Sequence, residues 1–222
     1  MPYRIIIVDD LIPILEDLEY TIQEEPSFSI VGKATSGKEA IELAKEIPFD
    51  LLLMDIEMED ATAGIKATRE IIHENPSAII AFFSAHDTSE TVLSAMATGA
   101  VDYIVKGVPN EELIRHIKGI LNQQPELDNK IQQMLLTEFK RLRHAESQLV
   151  SVMNKIKRLT TAETEIIQLL LAGESQKQIA EIRHVELVTI KTQITSILRK
   201  FDVKKSKQII KLIKELELQN LF

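Results

Sequence analysis

The stretch that decides the fold is Ile5-Ile6-Ile7-Val8-Asp9-Asp10, in which four apolar residues are followed at once by two carboxylates. A second run, Leu51-Leu52-Leu53-Met54, has the same arrangement and is followed by Asp55. A short continuous apolar run with polar boundaries is typical of a parallel strand that is buried on both faces. Ligands of open α/β sheets bind beyond the carboxyl ends of such strands, so these acids indicate a functional site at one edge of the sheet.

Two later apolar runs also end in polar residues. Ser84 follows residues 78–83, and Lys106 follows Tyr103-Ile104-Val105. Three ionised carboxylates held close together repel one another and need a cation, and oxygen ligands favour Mg2+. A carboxylate beside that ion can attack phosphorus, while Lys106 and Ser84 can contact the phosphoryl oxygens. Solvated caps on unrelated strands are the alternative, and the repetition of the pattern at several strand ends argues against it.

The first half of the chain alternates strand and helix patterns. We predict strands near 3–8, 29–34, 50–54, 78–84 and 103–105, and helices near 11–24, 37–47, 64–75, 88–98 and 110–121. Alternating units of this length form a parallel sheet with right-handed crossovers. The fold class predicted for this half is therefore α/β.

Residues 1 to about 121 resemble the receiver domain of two-component response regulators. Four segments carry the resemblance: Val8-Asp9-Asp10, Leu53-Met54-Asp55-Ile56, Phe83-Ser84-Ala85 and Asp102-Tyr103-Ile104-Val105-Lys106. The resemblance implies a flavodoxin-like sheet of five parallel strands in the order 2-1-3-4-5. It also implies a phosphoacceptor domain over residues 1–121 that is served by a sensor histidine kinase.

The same resemblance implies the roles of individual residues. Asp55 would accept the phosphoryl group, and Lys106 would contact that group. Asp9, Asp10, Asp55 and the backbone carbonyl of Glu57 would bind Mg2+ as the cofactor.

The family also has switch positions, which Ser84 and Tyr103 match. Phosphorylation is then expected to draw Ser84 toward the phosphoryl group and to turn Tyr103 inward. Glu57 and His86 stand where the family tunes the lifetime of the aspartyl phosphate, although we favour the interpretation of His86 as an ordinary loop histidine.

Residues 122–158 are predicted to form a helical linker. From Pro125 onward this region lacks Gly, and its apolar residues recur at heptad-like steps: Ile131, Leu135, Leu142, Ala145, Leu149, Val152, Ile156 and Leu159. Such a seam is typical of a helix that pairs with its twin in a homodimer. One amphipathic helix packed on its own domain would give a similar pattern, so both interpretations stay open.

Residues 159–222 are predicted to form a small all-α domain. Thr160 with Glu163 and Ser175 with Gln178 are capping boxes that open two helices, and Gly173 is placed to end the first. A later helix has two faces. Its apolar face carries Ile190, Ile194, Ile197 and Phe201, and its polar face carries Lys191, Thr192, Thr195 and Arg199. A helix of this kind can bury one face and offer the other to the major groove of DNA.

This segment resembles the LuxR-type helix-turn-helix domain. The match covers Leu159-Thr160, Leu169-Leu170-Leu171-Ala172-Gly173, Ser175-Gln176-Lys177-Gln178-Ile179-Ala180, Thr189-Ile190-Lys191 and Ile197-Leu198-Arg199-Lys200-Phe201. The resemblance implies that Lys191, Thr192 and Thr195 face bases of double-stranded DNA. It places Lys200, Lys204 and Lys205 near phosphates.

Four residues depart from the pattern of the LuxR-type family, namely Ala162, Arg183, Glu186 and Gln193. Glu186 is a poor N-cap and brings negative charge near the expected phosphates. Arg183 stands at a position that is normally buried in the family, which suggests looser packing or an exposed edge. These departures motivate an alternative function, a protein-interaction regulator whose helix-turn-helix binds DNA weakly or not at all.

Composition and charge limit the remaining classes of function. The chain has no cysteine, which excludes disulfides and thiolate metal sites. It shows no signal peptide or membrane span, so a cytoplasmic protein without membrane association is expected. Residues 1–124 carry nine Lys and Arg against 22 Asp and Glu, a net charge of −13, whereas residues 125–222 carry +5. This asymmetry suggests that only the second half meets a polyanion.

The remaining alternative function is that of an enzyme. A phosphohydrolase with an aspartyl nucleophile is disfavoured because Glu57, and not a second aspartate, stands two residues after Asp55. We therefore predict a DNA-binding transcriptional response regulator that is controlled by phosphorylation and is not an enzyme in the ordinary sense.

Overall fold

The computed structural model describes residues 2–222, and its first part is a five-stranded parallel sheet. The strands are β1 (Tyr3–Val8), β2 (Phe28–Ala34), β3 (Leu51–Met54), β4 (Ile80–Ser84) and β5 (Asp102–Val105). Their order across the sheet is β2-β1-β3-β4-β5. The predicted five-stranded parallel sheet is confirmed.

Helices follow each strand of the sheet. They are α1 (Ile12–Gln23), α2 (Gly37–Glu46), α3 (Ala63–Glu74), α4 (Ser89–Met96) and α5 (Asn110–Leu121). Apolar cores lie on both faces of the sheet, so β1 and β3 are buried on both sides, as continuous apolar runs require. The observed bounds lie within two residues of nearly all the predicted ones.

The register of the sheet brings the polar strand ends to one edge. Val8 of β1 pairs with Met54 of β3, so the residues that follow them, Asp9 and Asp55, leave the sheet side by side. Ser84 of β4 pairs with Val105 of β5, the residue before Lys106. Because all strands are parallel, these four side chains share the carboxyl edge.

A long helix, α6 (Asn129–Ile156), follows the sheet domain. The chain divides into two compact units, residues 1–138 and 139–222, and the division falls within this helix. Ile131 is fully buried in the core of the first unit, and Val152 is buried in the core of the second. The predicted domain bounds of 1–121, 122–158 and 159–222 stay a prediction, but each end of the linker contributes to a core.

The second unit contains four more helices and a short 3-10 helix (Gln219–Leu221). The helices are α7 (Thr161–Leu171), α8 (Gln176–Ile182), α9 (Leu187–Phe201) and α10 (Ser206–Glu215). The capping boxes predicted at Thr160 and Ser175 are both present. The predicted apolar face of α9, which carries Ile190, Ile194 and Ile197, lies in the core of this unit. Among residues 2–222, no helix has the length and apolarity that crossing a bilayer requires.

Candidate functional site

Three carboxylates meet at the carboxyl edge of the sheet. Oxygens of Asp9, Asp10 and Asp55 all lie within 4.8 Å of one another. Asp9 is 0% exposed and Asp55 is 5% exposed, whereas Asp10 is exposed to solvent. The Leu11 amide donates to Asp9 Oδ1 at 3.0 Å, and the Ile56 amide donates to Asp55 Oδ1 at 2.7 Å. These backbone contacts fix the two buried carboxylates in place.

Lys106 supplies the positive charge of this acidic site. Its Nζ lies 2.6 Å from Asp9 Oδ2 and 2.8 Å from Asp55 Oδ2. Burial raises the pKa of the Asp55 carboxyl, Lys106 offsets only part of that effect, and the charge of Asp9 raises the pKa further. Burial would lower the pKa of Lys106, but hydrogen bonds to Asp55 and Asp9 outweigh burial and raise it. The ammonium is therefore held in its charged form.

The acidic site fits a divalent cation. Asp9, Asp10 and Asp55 carry three negative charges when ionised, and Lys106 balances one. Asp9 Oδ2 is buried and has the ion pair with Lys106 but no donor in hydrogen-bonding geometry, so it keeps acceptor capacity. Oxygen-only ligands and a net charge of about −2 match the preference of Mg2+.

Ser84, the last residue of β4, and Tyr103 of β5 both contact the loop that follows β4. Ser84 is fully buried, and its Oγ accepts a hydrogen bond from the His86 amide at 3.3 Å. Tyr103 is also fully buried, and its hydroxyl donates to the His86 carbonyl. The ring already has the inward position that we expected phosphorylation to produce, and it ties the β4–α4 loop to β5.

Glu57 and His86, from the loops that follow β3 and β4, contact each other. His86 Nε2 lies 2.8 Å from Glu57 Oε2, and both side chains are about half exposed. The resemblance placed both residues at positions that tune the phosphate lifetime, but the contact between them was not predicted. The pairing spans the β3–α3 and β4–α4 loops, so no local sequence pattern could have revealed it.

The backbone behind Asp55 is fixed by Gly64 at the start of α3. A Cβ at this position would lie 1.8 Å from the Asp55 carbonyl oxygen, a distance that no side chain permits. The Gly64 amide donates to the Ile56 carbonyl at 3.0 Å. Glycine is therefore required here so that α3 can approach the Asp55 peptide closely.

In the second unit, the polar face of α9 is open to solvent. Lys191, Thr192, Thr195 and Arg199, which were predicted to share this face, are all exposed. Lys204 and Lys205 follow α9 and are exposed as well. The helix thus has the two-sided character that the sequence pattern predicts.

Lys200 differs from the other basic residues of this region. Its Nζ lies 2.5 Å from Glu163 Oε2 and donates to the Arg158 carbonyl at 2.8 Å. The ammonium is therefore engaged within the second unit. Sequence reasoning placed it near phosphates and did not identify Glu163 as its partner, which lies 37 residues away.

Three of the residues that depart from the LuxR-type pattern contact one another. Arg183 Nη1 donates to the Ala162 carbonyl at 3.2 Å and to Gln193 Oε1 at 3.3 Å, and Arg183 Nη2 lies 3.3 Å from Glu165 Oε2. Neither looser packing nor an exposed edge is found at this position, because the Arg183 side chain is only 20% exposed and joins the end of α8 to α7 and α9. Glu186 makes no side-chain capping bond at the start of α9, as expected for a poor N-cap.

Family comparisons agree with this architecture. The response regulator receiver domain family matches residues 5–118, which is about half of the chain. The luxR family of bacterial regulatory proteins matches residues 157–213.

Individual relatives match nearly the whole chain. The transcriptional regulatory protein LiaR of Bacillus subtilis is 30% identical over 200 residues, covering 90% of this chain and 91% of that protein. The transcriptional regulatory protein DegU of Brevibacillus brevis is 28% identical over 215 residues, covering 93% of this chain and 91% of that protein.

A solved structure shares the fold. The RcsB response regulator of Salmonella typhimurium superposes with a TM-score of 0.56 at 17% identity, over 98% of this chain and 99% of that chain. Together with the sheet edge and the helix-turn-helix described above, these matches show that the chain belongs to the response regulators that join a receiver domain to a LuxR-type DNA-binding domain.

Proposed function

We propose that Asp55 accepts a phosphoryl group from a sensor histidine kinase, and that Asp9, Asp10, Asp55 and the backbone carbonyl of Glu57 hold Mg2+. The observation that carries this proposal is the cluster of three carboxylates within 4.8 Å, with one lysine between the two buried members. Bound Mg2+ would neutralise negative charge on the phosphoryl oxygens.

The transfer step uses residues of this chain in defined roles. An Asp55 carboxylate oxygen forms the new O–P bond while the N–P bond of the donor phosphohistidine breaks, and the freed imidazole nitrogen takes up a proton. Lys106, which already contacts Asp55 Oδ2 at 2.8 Å, moves its charge to the phosphoryl oxygens. Ser84 is buried beside the site and donates to one of those oxygens.

By family the protein is a regulator and not a catalytic enzyme. The only covalent chemistry in our proposal is phosphoryl transfer to Asp55 and its later hydrolysis there. We propose that the half-exposed pair of Glu57 and His86 influences the rate of that hydrolysis. Both the kinase and chromosomal DNA are reached from the cytoplasm, so the proposal includes a cytoplasmic location.

We propose that phosphorylation of Asp55 controls binding to double-stranded DNA through α9. We propose that Lys191, Thr192 and Thr195 face bases and that Lys204 and Lys205 contact phosphates, since the first three are exposed on α9 and the two lysines are exposed in the segment that follows it. Lys200 keeps its predicted place near phosphates only if its ammonium leaves Glu163, which contacts it at 2.5 Å.

A homodimer is part of the proposal. A related structure is described as two RcsB dimers bound to two parallel DNAs, and that chain is 17% identical to this one. A dimer places two recognition helices on two half-sites of one DNA. In this chain, Leu142 and Leu149 of α6 are exposed and lie seven residues apart, so the linker helix offers a pairing surface.

Phosphorylation at Asp55 is tested on the full chain with acetyl phosphate and Mg2+. Intact-mass measurement should show one added phosphoryl group on the wild type and none on Asp55→Asn. Asp17→Asn is the matched control, because Asp17 is an exposed carboxylate on α1 outside the site, and it should label like the wild type. Labelling that persists in Asp55→Asn would refute the assignment of the acceptor.

A further inference from the structure

One face of α9 carries more apolar surface than its polar character suggests. We define the outer face of α9 as Val188, Lys191, Thr192, Thr195 and Arg199, which follow one another at helical spacing and are all exposed. Val188 is 68% exposed at the beginning of the helix. In helix-turn-helix proteins, residues near the beginning of the recognition helix contact base edges. Val188 therefore belongs to the surface that meets DNA.

The hydroxyl protons of the two threonines on the outer face are used in hydrogen bonds to backbone carbonyls of α9. Thr192 Oγ1 donates to the Val188 carbonyl at 2.9 Å, and Thr195 Oγ1 donates to the Lys191 carbonyl at 2.8 Å. A hydroxyl has one proton, so each oxygen can still accept a hydrogen bond but can no longer donate one. With the hydroxyl turned back onto the helix, the γ-methyl is the group that remains for the groove.

These groups can be compared with the base edges in the major groove. Thymine presents a methyl group and one acceptor, adenine presents an amino donor and one acceptor, and guanine presents two acceptors. The threonine oxygens can accept from the amino group of adenine or of cytosine, whereas the methyl groups of Val188, Thr192 and Thr195 can contact the thymine methyl, which C·G pairs lack. Guanine presents two acceptors, and in the first two turns of the outer face Lys191 is the residue whose ammonium can donate to both, whereas Val188, Thr192 and Thr195 cannot.

From this complementarity we infer that the outer face of α9 reads thymine methyl groups, so that the operator of this protein is A·T-rich where it faces Val188, Thr192 and Thr195. The inference rests on the proposed DNA binding and adds the class of base pair that is read. Arg199 lies about one turn beyond Thr195 and serves phosphates or flanking pairs. The specificity-determining residues are thus the three methyl-bearing side chains.

The test uses one DNA duplex in two forms. A duplex is selected from a random pool by the full chain in the presence of acetyl phosphate and Mg2+, and it is then made again with deoxyuridine in place of every thymidine. This replacement removes only the C5 methyl groups and keeps the pairing edges. The dissociation constant should rise about fourfold for each contacted methyl that is lost, because burying one methyl or methylene group contributes about 0.8 kcal/mol to the binding free energy.

A variant of the protein completes a double-mutant cycle. Thr192→Ser removes the γ-methyl and keeps the hydroxyl, so it should weaken binding to the thymine duplex about fourfold and leave binding to the uracil duplex unchanged. Thr164→Ser is the matched control, because Thr164 also donates to the carbonyl four residues before it but lies on α7. It should bind both duplexes like the wild type.

The outcomes separate this inference from the proposed function. Equal affinity for the thymine and uracil duplexes would overturn methyl readout and leave DNA binding intact. A loss in Thr192→Ser that is the same on both duplexes would also overturn it, because the two methyl groups would then not be coupled. If no duplex is selected at all, DNA binding itself fails and the inference fails with it.

Discussion

At the scale of single residues, Glu163 holds together helices α7 and α9 of the second unit. It is 5% exposed, and its carboxylate accepts from the Thr160 amide at 2.8 Å, from Ser196 Oγ at 2.9 Å and from Lys200 Nζ at 2.5 Å. Burial alone would raise the pKa of Glu163, but Lys200, Thr160 and Ser196 together lower it to about 2. One carboxylate therefore caps α7 and fastens α9 to it.

This lowered pKa makes the stability of the second unit sensitive to acid. A carboxyl whose folded pKa lies below its unfolded value of 4.5 stabilises the protein above that pH, and the contribution is lost as the pH falls toward about 2. The change Glu163→Gln should lower the free energy of unfolding by about 3 kcal/mol at neutral pH. The difference from the wild type should shrink as the pH falls toward 3.

Urea unfolding of the full chain, followed by circular dichroism at several pH values, measures this difference. Glu165→Gln is the control, because Glu165 also lies on α7 but is half exposed, and its variant should follow the pH dependence of the wild type. A Glu163→Gln protein that is equally destabilised at pH 7 and pH 3 would show that shape, and not charge, makes Glu163 important.

Sequence reasoning predicted some residues of the sites and not others, for a physical reason. Asp9, Asp55, Ser84 and Lys106 could be predicted because parallel strands bring the residues after apolar runs to one edge. The pair of Lys200 and Glu163 could not, since its partners lie on different helices 37 residues apart. Such contacts depend on packing between elements, which periodicity within one element does not encode.

At the scale of elements, α6 is a long helix that is buried only at its two ends. Its first turn is buried through Ile131, its last turns are buried through Val152, and residues 139–151 between them are all exposed. The heptad pattern predicted this helix but could not decide between pairing with a twin and packing on its own domain. The structure shows packing at both ends and leaves Leu142 and Leu149 at 53% and 39% exposure.

We therefore predict that the middle of α6 pairs with its copy in a homodimer. The double change Leu142→Glu and Leu149→Glu replaces seam residues with charges and should raise the dimer dissociation constant by at least about a hundredfold. Because both side chains are exposed within the chain, the fold of each copy should not change. Analytical ultracentrifugation measures the dissociation constant, and circular dichroism checks the fold.

The control places the same charges on the other side of this helix. His144 and Ser151 are exposed, lie seven residues apart and face away from the leucines, so His144→Glu with Ser151→Glu should leave the dimer intact. If both double variants weaken the dimer equally, added charge is responsible and the seam is not. A wild type that stays monomeric at all concentrations would contradict the prediction outright.

At the scale of the whole molecule, the chain joins an acidic switch unit to a basic output unit. Residues 1–124 carry a net charge of −13 and residues 125–222 carry +5, so DNA attracts only the second part. The charge asymmetry and both family resemblances were available from sequence alone. The coupling that we propose between the units could not be predicted from the sequence, because a coupling is a free-energy difference between two states of the protein and leaves no residue pattern.

Thermodynamic linkage turns this coupling into the last prediction. Beryllofluoride with Mg2+ is a non-covalent mimic of the phosphoryl group, so its binding near Asp55 is an equilibrium. If beryllofluoride raises the affinity for DNA by some factor, DNA must raise the affinity for beryllofluoride by the same factor, which for allosteric proteins is about 5- to 150-fold.

Both affinities are measured on the full chain above the dimer dissociation constant and at two salt concentrations, since phosphate contacts make DNA binding fall steeply with salt. Asp55→Asn should bind DNA without any response to beryllofluoride. DNA affinity that is identical with and without beryllofluoride in the wild type would mean that the acidic site does not control the helix-turn-helix. Binding that is absent, or insensitive to salt, would instead favour a regulator that works through protein contacts.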